Sequence, residues 1–261
     1  MQLLNFSPEQ FEVFVLVLIR VSVVLLLFPI FDSPLFPRMV KLALALALSL
    51  ALFPVVAVDT AHFPRHPLGL LALGVSELFA GMVLGLTVRL FFAAVQLAGQ
   101  MVGFQMGFSI INVLDPQTGG QVSIIDQIGL MVVMLLFLSL NGHHVVISAL
   151  AESFRILAPG VLNLQRGFFS LVLAGAGDMF ALGIKIGAPA IAALLFTDAA
   201  FGICARFVPQ MNILIAGFPV KIVVGLFFFG VTLQIVGLMT RLFLGHLPGQ
   251  LRALLTLMGT P

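Results

Sequence analysis

Six stretches of this sequence are apolar for long enough to cross a lipid bilayer, and that feature constrains the fold more than any other. They cover 11–31, 42–58, 68–95, 128–150, 168–195 and 211–239. Each is at or near the ~20 residues that a helix needs to span a ~30 Å hydrocarbon layer. Within lipid every backbone polar group must be satisfied by the protein itself, which leaves helices or closed barrels. Runs of this length read as helices. The supply of charge agrees: 12 Lys+Arg and 10 Asp+Glu in 261 residues, or 8%, cannot cover a soluble surface, which carries roughly 25%. A soluble enzyme and a disordered chain are excluded. The expectation is an all-α membrane protein of about six long, kinked helices in hairpins, forming one domain over 1–261.

The remaining composition narrows the partners. A net charge of +2 with no Lys/Arg run gives no basic patch for nucleic acid. One cysteine, Cys204, excludes an intrachain disulfide and a cysteine-based metal site. His143 and His144 are adjacent, about 100° apart on a helix, and cannot chelate one metal as an i,i+4 pair does. No hydrolase, zinc-protease or nucleotide-binding motif is present, so no cofactor and no enzymatic activity are expected. The chain has 26 Phe but no Trp and no Tyr. It therefore lacks the usual interfacial belts, which suggests a surface facing protein as well as membrane lipid. With the N-terminus outside, Arg38, Lys41, Arg89 and Arg206 fall inside, against Arg65, Arg155, Arg166, Arg241 and Arg252 outside. That distribution sets no orientation.

Local signals place the helix ends. Ser7-Pro8-Glu9-Gln10 predicts a capped helix start rather than a cleavable signal. Pro29, Pro54, Pro189 and Pro219 lie in apolar runs and predict kinks or breaks. After Pro248, residues 249–258 predict an amphipathic helix with Leu251, Leu254, Leu255 and Met258 on one face, packing on a partner or a membrane.

Small residues recur at four-residue spacing: Gly81 with Gly85, Gly183 with Gly187, the series Gly99, Gly103, Gly107, and Ala43, Ala47, Ala51. Such stripes let helix backbones approach closely, within one chain or between chains. Arg20, Glu77, Arg89, Asp178, Lys185 and Lys221 sit inside apolar stretches, where each costs ~2.5–3.5 kcal/mol at a helix centre. A proton or ion relay, an inter-helix pairing role, and spans that are not in lipid are the competing readings. Asp178 and Lys185 share a face about 10.5 Å apart and cannot meet each other.

Residues 93–127 fit no span. Asp115-Pro116 and Gly119-Gly120 break helices, yet the segment has no Lys or Arg, and its front half is bulky and apolar. An extramembrane loop and an apolar constriction that closes a pore by excluding water are both compatible with it.

Four stretches carry a resemblance. They are Arg20 to Leu42 with Pro29 and Pro37-Arg38-Met39-Val40-Lys41; Gly103-Phe104-Gln105-Met106-Gly107-Phe108-Ser109 leading to Asp115-Pro116; Asn141-Gly142-His143; and Pro209-Gln210-Met211-Asn212-Ile213 followed by Gly217-Phe218-Pro219-Val220-Lys221-Ile222. Together they resemble the FliR/SctT family of type III export-gate subunits over essentially the whole chain, and the flagellar branch more than the virulence (injectisome) branch. The resemblance implies a helical export-gate complex in the bacterial inner membrane, at the flagellar basal body. Its other members would be FliP-like, FliQ-like, FlhB-like and FlhA-like proteins, and its cargo unfolded flagellar proteins. It implies a re-entrant plug loop over 107–122, involving Met106, Gly107, Phe108, Ser109, Ile110, Ile111, Val113, Asp115 and Pro116. Helix packing and assembly would fall to Gly81, Gly85, Gly99, Gly103, Arg206, Pro209, Asn212, Gly217, Pro219 and Lys221, with Arg206 and Lys221 holding neighbouring subunits. A stand-alone ion-coupled transporter of a small solute is the alternative from another class.

Overall fold

A computed structural model describes residues 7–32, 36–56, 66–108, 124–160, 162–163, 165–210 and 212–259. It is all-α, with no strand among the described residues. The helices are α1 (Pro8–Leu27), α2 (Pro29–Asp32), α3 (Arg38–Leu52), α4 (Pro67–Met106), α5 (Ile124–Ser139), α6 (Gly142–Ile156), α7 (Arg166–Phe207) and α8 (Ile213–Met258). Five helical stretches are long and apolar enough to cross a membrane, with a sixth if α5 and α6 count as one broken span. The chain is a multi-pass, all-α membrane protein.

The local signals account for most boundaries. Ser7 caps α1 through a full capping box: its Oγ accepts from the Gln10 N–H, and Gln10 Oε1 accepts from the Ser7 N–H. Pro29 separates α2 from α1, and Pro54 lies in a single 3-10 turn, Phe53–Val55, that ends α3. Pro189 and Pro219 behave differently, because α7 and α8 continue through both. A proline removes one helical hydrogen bond, and long flanking stretches of intact helix absorb that loss. Residues 249–258 are likewise not a separate helix but the last turns of α8. Between α5 and α6 the chain turns at Asn141, which takes a left-handed φ of 58°, a conformation that Asn tolerates better than other side chains.

Residues sort into two compact units. The first contains 1–90, 141–175 and 244–261. Its core uses the 3-4 spacing of α1 (Val13, Leu16, Val17, Val21, Val24), of α4 (Ala80, Val83, Leu84, Val88) and of the end of α8 (Leu247, Leu251, Leu254, Leu255, Met258). The apolar stripe of 251–258 is thus buried inside its own unit instead of being offered to a partner or a membrane. On α3 the face turned inward carries Ala45, Ser49 and Leu52, and the alanines 43, 47 and 51 point outward. The second unit contains 91–140 and 176–243. There α7 and α8 form an antiparallel hairpin: Gly217 packs on the Phe201 ring, and Lys221 pairs with Asp198 one turn further from the connection.

Candidate functional site

The anomalous segment of the sequence begins where α4 stops, and the stop is chemically explicit. Gly107 has φ 90°. Its N–H donates to the Phe104 carbonyl (3.0 Å), and the Phe108 N–H donates to the Gly103 carbonyl (3.1 Å). Those two bonds form the Schellman termination, in which a left-handed glycine lets the chain fold back over the last turn. The motif calls for an apolar contact behind it. Phe108 supplies this by packing on a core of Val102, Met106, Ile125, Ala190, Leu194 and Phe229. Met106 is wholly buried and lies over Gly225: a methyl group placed there would meet Met106 Cγ at 2.6 Å. Ile125, which begins the return through α5, belongs to the same core. Residues 108 and 124 therefore leave and re-enter the fold at one apolar cluster.

A polar contact braces this junction. A methyl group on Gly99 would lie 2.5 Å from Asp126 Cα, so α4 and α5 touch there backbone to backbone. Asp126, in the first turn of α5, is 1% exposed. Its Oδ2 accepts from Gln100 Nε2 at 3.3 Å, and Oδ1 has no partner among the described residues. A carboxylate at a helix N-terminus is favoured by the helix dipole, which offsets part of its desolvation. The stripe of Gly183 and Gly187 seats α7 on α4: a methyl on Gly183 would meet Leu97 Cδ2 at 2.9 Å and the Ala94 carbonyl at 3.0 Å.

In the first unit, Gly81 and Gly85 let α4 press on α1, where added methyls would lie 2.8 Å from the Arg20 carbonyl and 2.7 Å from Leu27 Cβ. Beside them Arg20 and Glu77, both 0% exposed, form a bidentate pair. Arg20 Nε donates to Glu77 Oε2 at 2.7 Å and Nη2 to Oε1 at 2.9 Å. The other guanidinium hydrogens reach Ser153 Oγ and the Leu157 carbonyl, both at 3.1 Å, while the group lies 4.2 Å above the Phe154 ring. Glu77 Oε1 also accepts the Gly160 N–H at 2.9 Å. One ion pair thus ties together α1, α4, α6 and the turn after α6.

The residues expected to matter are not gathered into one place. Met106, Gly107 and Phe108 meet Gly99 and Gly103 at the end of α4, whereas Gly81 and Gly85 belong to the first unit. Asn212 is the N-cap of α8, its Oδ1 accepting from the Ile215 N–H at 3.4 Å. Pro209 lies exposed in the α7–α8 turn, Arg206 is exposed in the last turn of α7, and Pro219 is exposed on α8. Gly217 is buried, and Lys221 finds its partner Asp198 within the chain. Ser109, Ile110, Ile111, Val113, Asp115 and Pro116 lie outside the described residues. Sequence reasoning missed Gly225, Asp126 and the pairing of Arg20 with Glu77. Gly225 was signalled by its four-residue step from Gly217 through Lys221.

Comparison with known proteins matches residues 11–246 to the family described as bacterial export proteins, family 1. The flagellar biosynthetic protein FliR of Bacillus subtilis is 32% identical over 98% of this chain and 99% of its own length. FliR of Escherichia coli is 34% identical over 80% of this chain and 79% of its own. FliR of Pectobacterium carotovorum is 30% identical over 90% and 87%. A match from end to end, across both compact units, leaves no part of the fold unaccounted for: the chain belongs to the bacterial export protein family that includes FliR.

Proposed function

We propose that this chain is a core subunit of a flagellar type III protein export gate, forming part of the conduit that carries unfolded flagellar proteins across the bacterial inner membrane at the basal body. The observation that carries the reading is the near-complete two-way coverage with relatives named flagellar biosynthetic protein FliR. On this reading the neighbours are FliP-like, FliQ-like, FlhB-like and FlhA-like proteins, and the chain binds and guides cargo rather than transforming it.

The segment 107–122 acts as the plug. Support comes from its two roots, Met106 and Phe108 on one side and Ile125 on the other, which share one apolar core. Such roots hold a loop in place at rest while leaving its tip free of strong bonds. An apolar constriction stops ions by excluding water and offers no tight grip to a passing unfolded chain. The test is deletion of Ser109–Thr118 in cells carrying the assembled gate. Increased ion leakage with the gate still assembled is expected. Unchanged conductance overturns the plug assignment, and undiminished flagellar export in cells lacking the whole chain overturns the gate reading.

A further inference from the structure

Helix α7 presents a face that neither lipid nor water suits. It has 42 residues, about 63 Å of helix at 1.5 Å per residue, against a hydrocarbon layer of ~30 Å. Asp178 and Lys185 both point outward, and neither pairs with a described residue. Seven residues apart, they lie in line on one side, about 10.5 Å from each other along the axis. Ala181 lies between them and Ala188 just beyond, both exposed. Phe180 and Ile184 flank them at 56% and 52% exposure.

Wherever the bilayer falls along α7, this face needs protein over it. If the hydrocarbon covers 176–190, an acid and a base stand in lipid without counter-charges. If it lies elsewhere, Phe180 and Ile184 stand in water as part of an apolar patch. Pro189 adds a third demand, since it has no N–H to give the Lys185 carbonyl. The alanines leave room for a second helix at short range.

The order of charges selects the occupant. A second copy of this chain in the same orientation would set Asp178 against Asp178 and Lys185 against Lys185. Sliding the copies by two turns would pair only one of each. Only an antiparallel copy satisfies both charges, and that requires the same protein to sit in one membrane in two orientations. We propose that the Asp178–Lys185 face of α7 seats a transmembrane helix of a different membrane protein, one carrying a basic and an acidic side chain about seven residues apart. The inference rests on the gate reading only in requiring a neighbouring membrane subunit.

The experiment places a photo-crosslinking amino acid at Ala181 or Ala188 of the full chain in its native membrane. The expected adduct is with one other membrane protein, and the linked peptide lies in an apolar helix with that charge spacing. Asp178→Lys with Lys185→Asp should reduce the adduct to background, and reversing the two partner charges should restore it. Asp178→Asn with Lys185→Gln, a milder change, should reduce it at unchanged membrane level and helix content. Adducts only with lipid, with the same chain or with a second copy overturn the proposal, as does an adduct indifferent to charge reversal. Retained co-purification with export partners alongside such a result would leave the gate reading standing. A charge-dependent adduct to a protein unconnected with export would sink the gate reading and keep this one.

Discussion

Arg20 shows why a charge can lie in the middle of an apolar helix. Alone it would be costly, but its guanidinium is neutralised by Glu77 and its hydrogens are taken by Glu77, Ser153 and the Leu157 carbonyl. Breaking a fully buried pair by removing one partner costs about 3–5 kcal/mol, because the survivor is left uncompensated, whereas replacing both is often near neutral. Here the second half of that rule needs a correction, since Glu77 Oε1 also holds the Gly160 N–H. A leucine at 77 would leave that donor unpaired, at about 1–3 kcal/mol. A glutamine keeps an oxygen there. We therefore expect Arg20→Met or Glu77→Leu alone to lower the thermal midpoint in detergent by on the order of 10 °C. The double variant R20M/E77Q should recover most of that loss. Singles that cost no more than the double would show the pair to be uncoupled.

At the level of helices, the second unit is organised by places where a side chain is missing. Gly99 faces the Asp126 backbone and Gly225 faces the Met106 side chain, and this difference makes a prediction. Backbone cannot step aside, but a methionine has three rotatable bonds and adapts. Gly99→Ala should destabilise more than Gly225→Ala, by about 1–3 kcal/mol of overpacking against less, and Met106→Ala should partly rescue Gly225→Ala but not Gly99→Ala. Denaturation of the four variants in one detergent decides it; equal losses, or rescue of both, would mean that the two contacts are not different in kind. Much of this organisation was legible beforehand. The Ser7 cap, the glycine steps at 81/85 and 183/187 and the fold-back at Gly107 are local patterns with one local meaning. The partner of Arg20 was not legible, because Glu77 and the Ser153 to Gly160 region approach from distant parts of the chain, and spacing identifies a helix face without naming its neighbour. Pro189 and Pro219 misled for a related reason: a proline signals a lost hydrogen bond, and the length of helix around it decides whether the helix ends.

For the whole molecule the governing mismatch is between helix length and bilayer thickness. α4, α7 and α8 have 40, 42 and 46 residues, about 60, 63 and 69 Å, roughly twice the ~30 Å hydrocarbon layer. Large apolar side chains are nevertheless exposed along their full extent, from Phe169 to Phe207 on α7 and from Ile215 to Leu242 on α8. Lipid can cover at most about half of each helix, so the rest is either wet or covered by protein. The missing Trp and Tyr belts and the even Lys/Arg distribution follow from the same circumstance, since both rules describe chains whose spans end at the membrane surface. A lone chain in mild detergent should therefore be polydisperse, and co-expression with its neighbouring membrane genes should give a single heavier particle containing several different chains. A monodisperse one-chain particle that moved a solute into liposomes would overturn the argument, because it would mean that these exposed stretches need no partner and that the conduit is the chain's own.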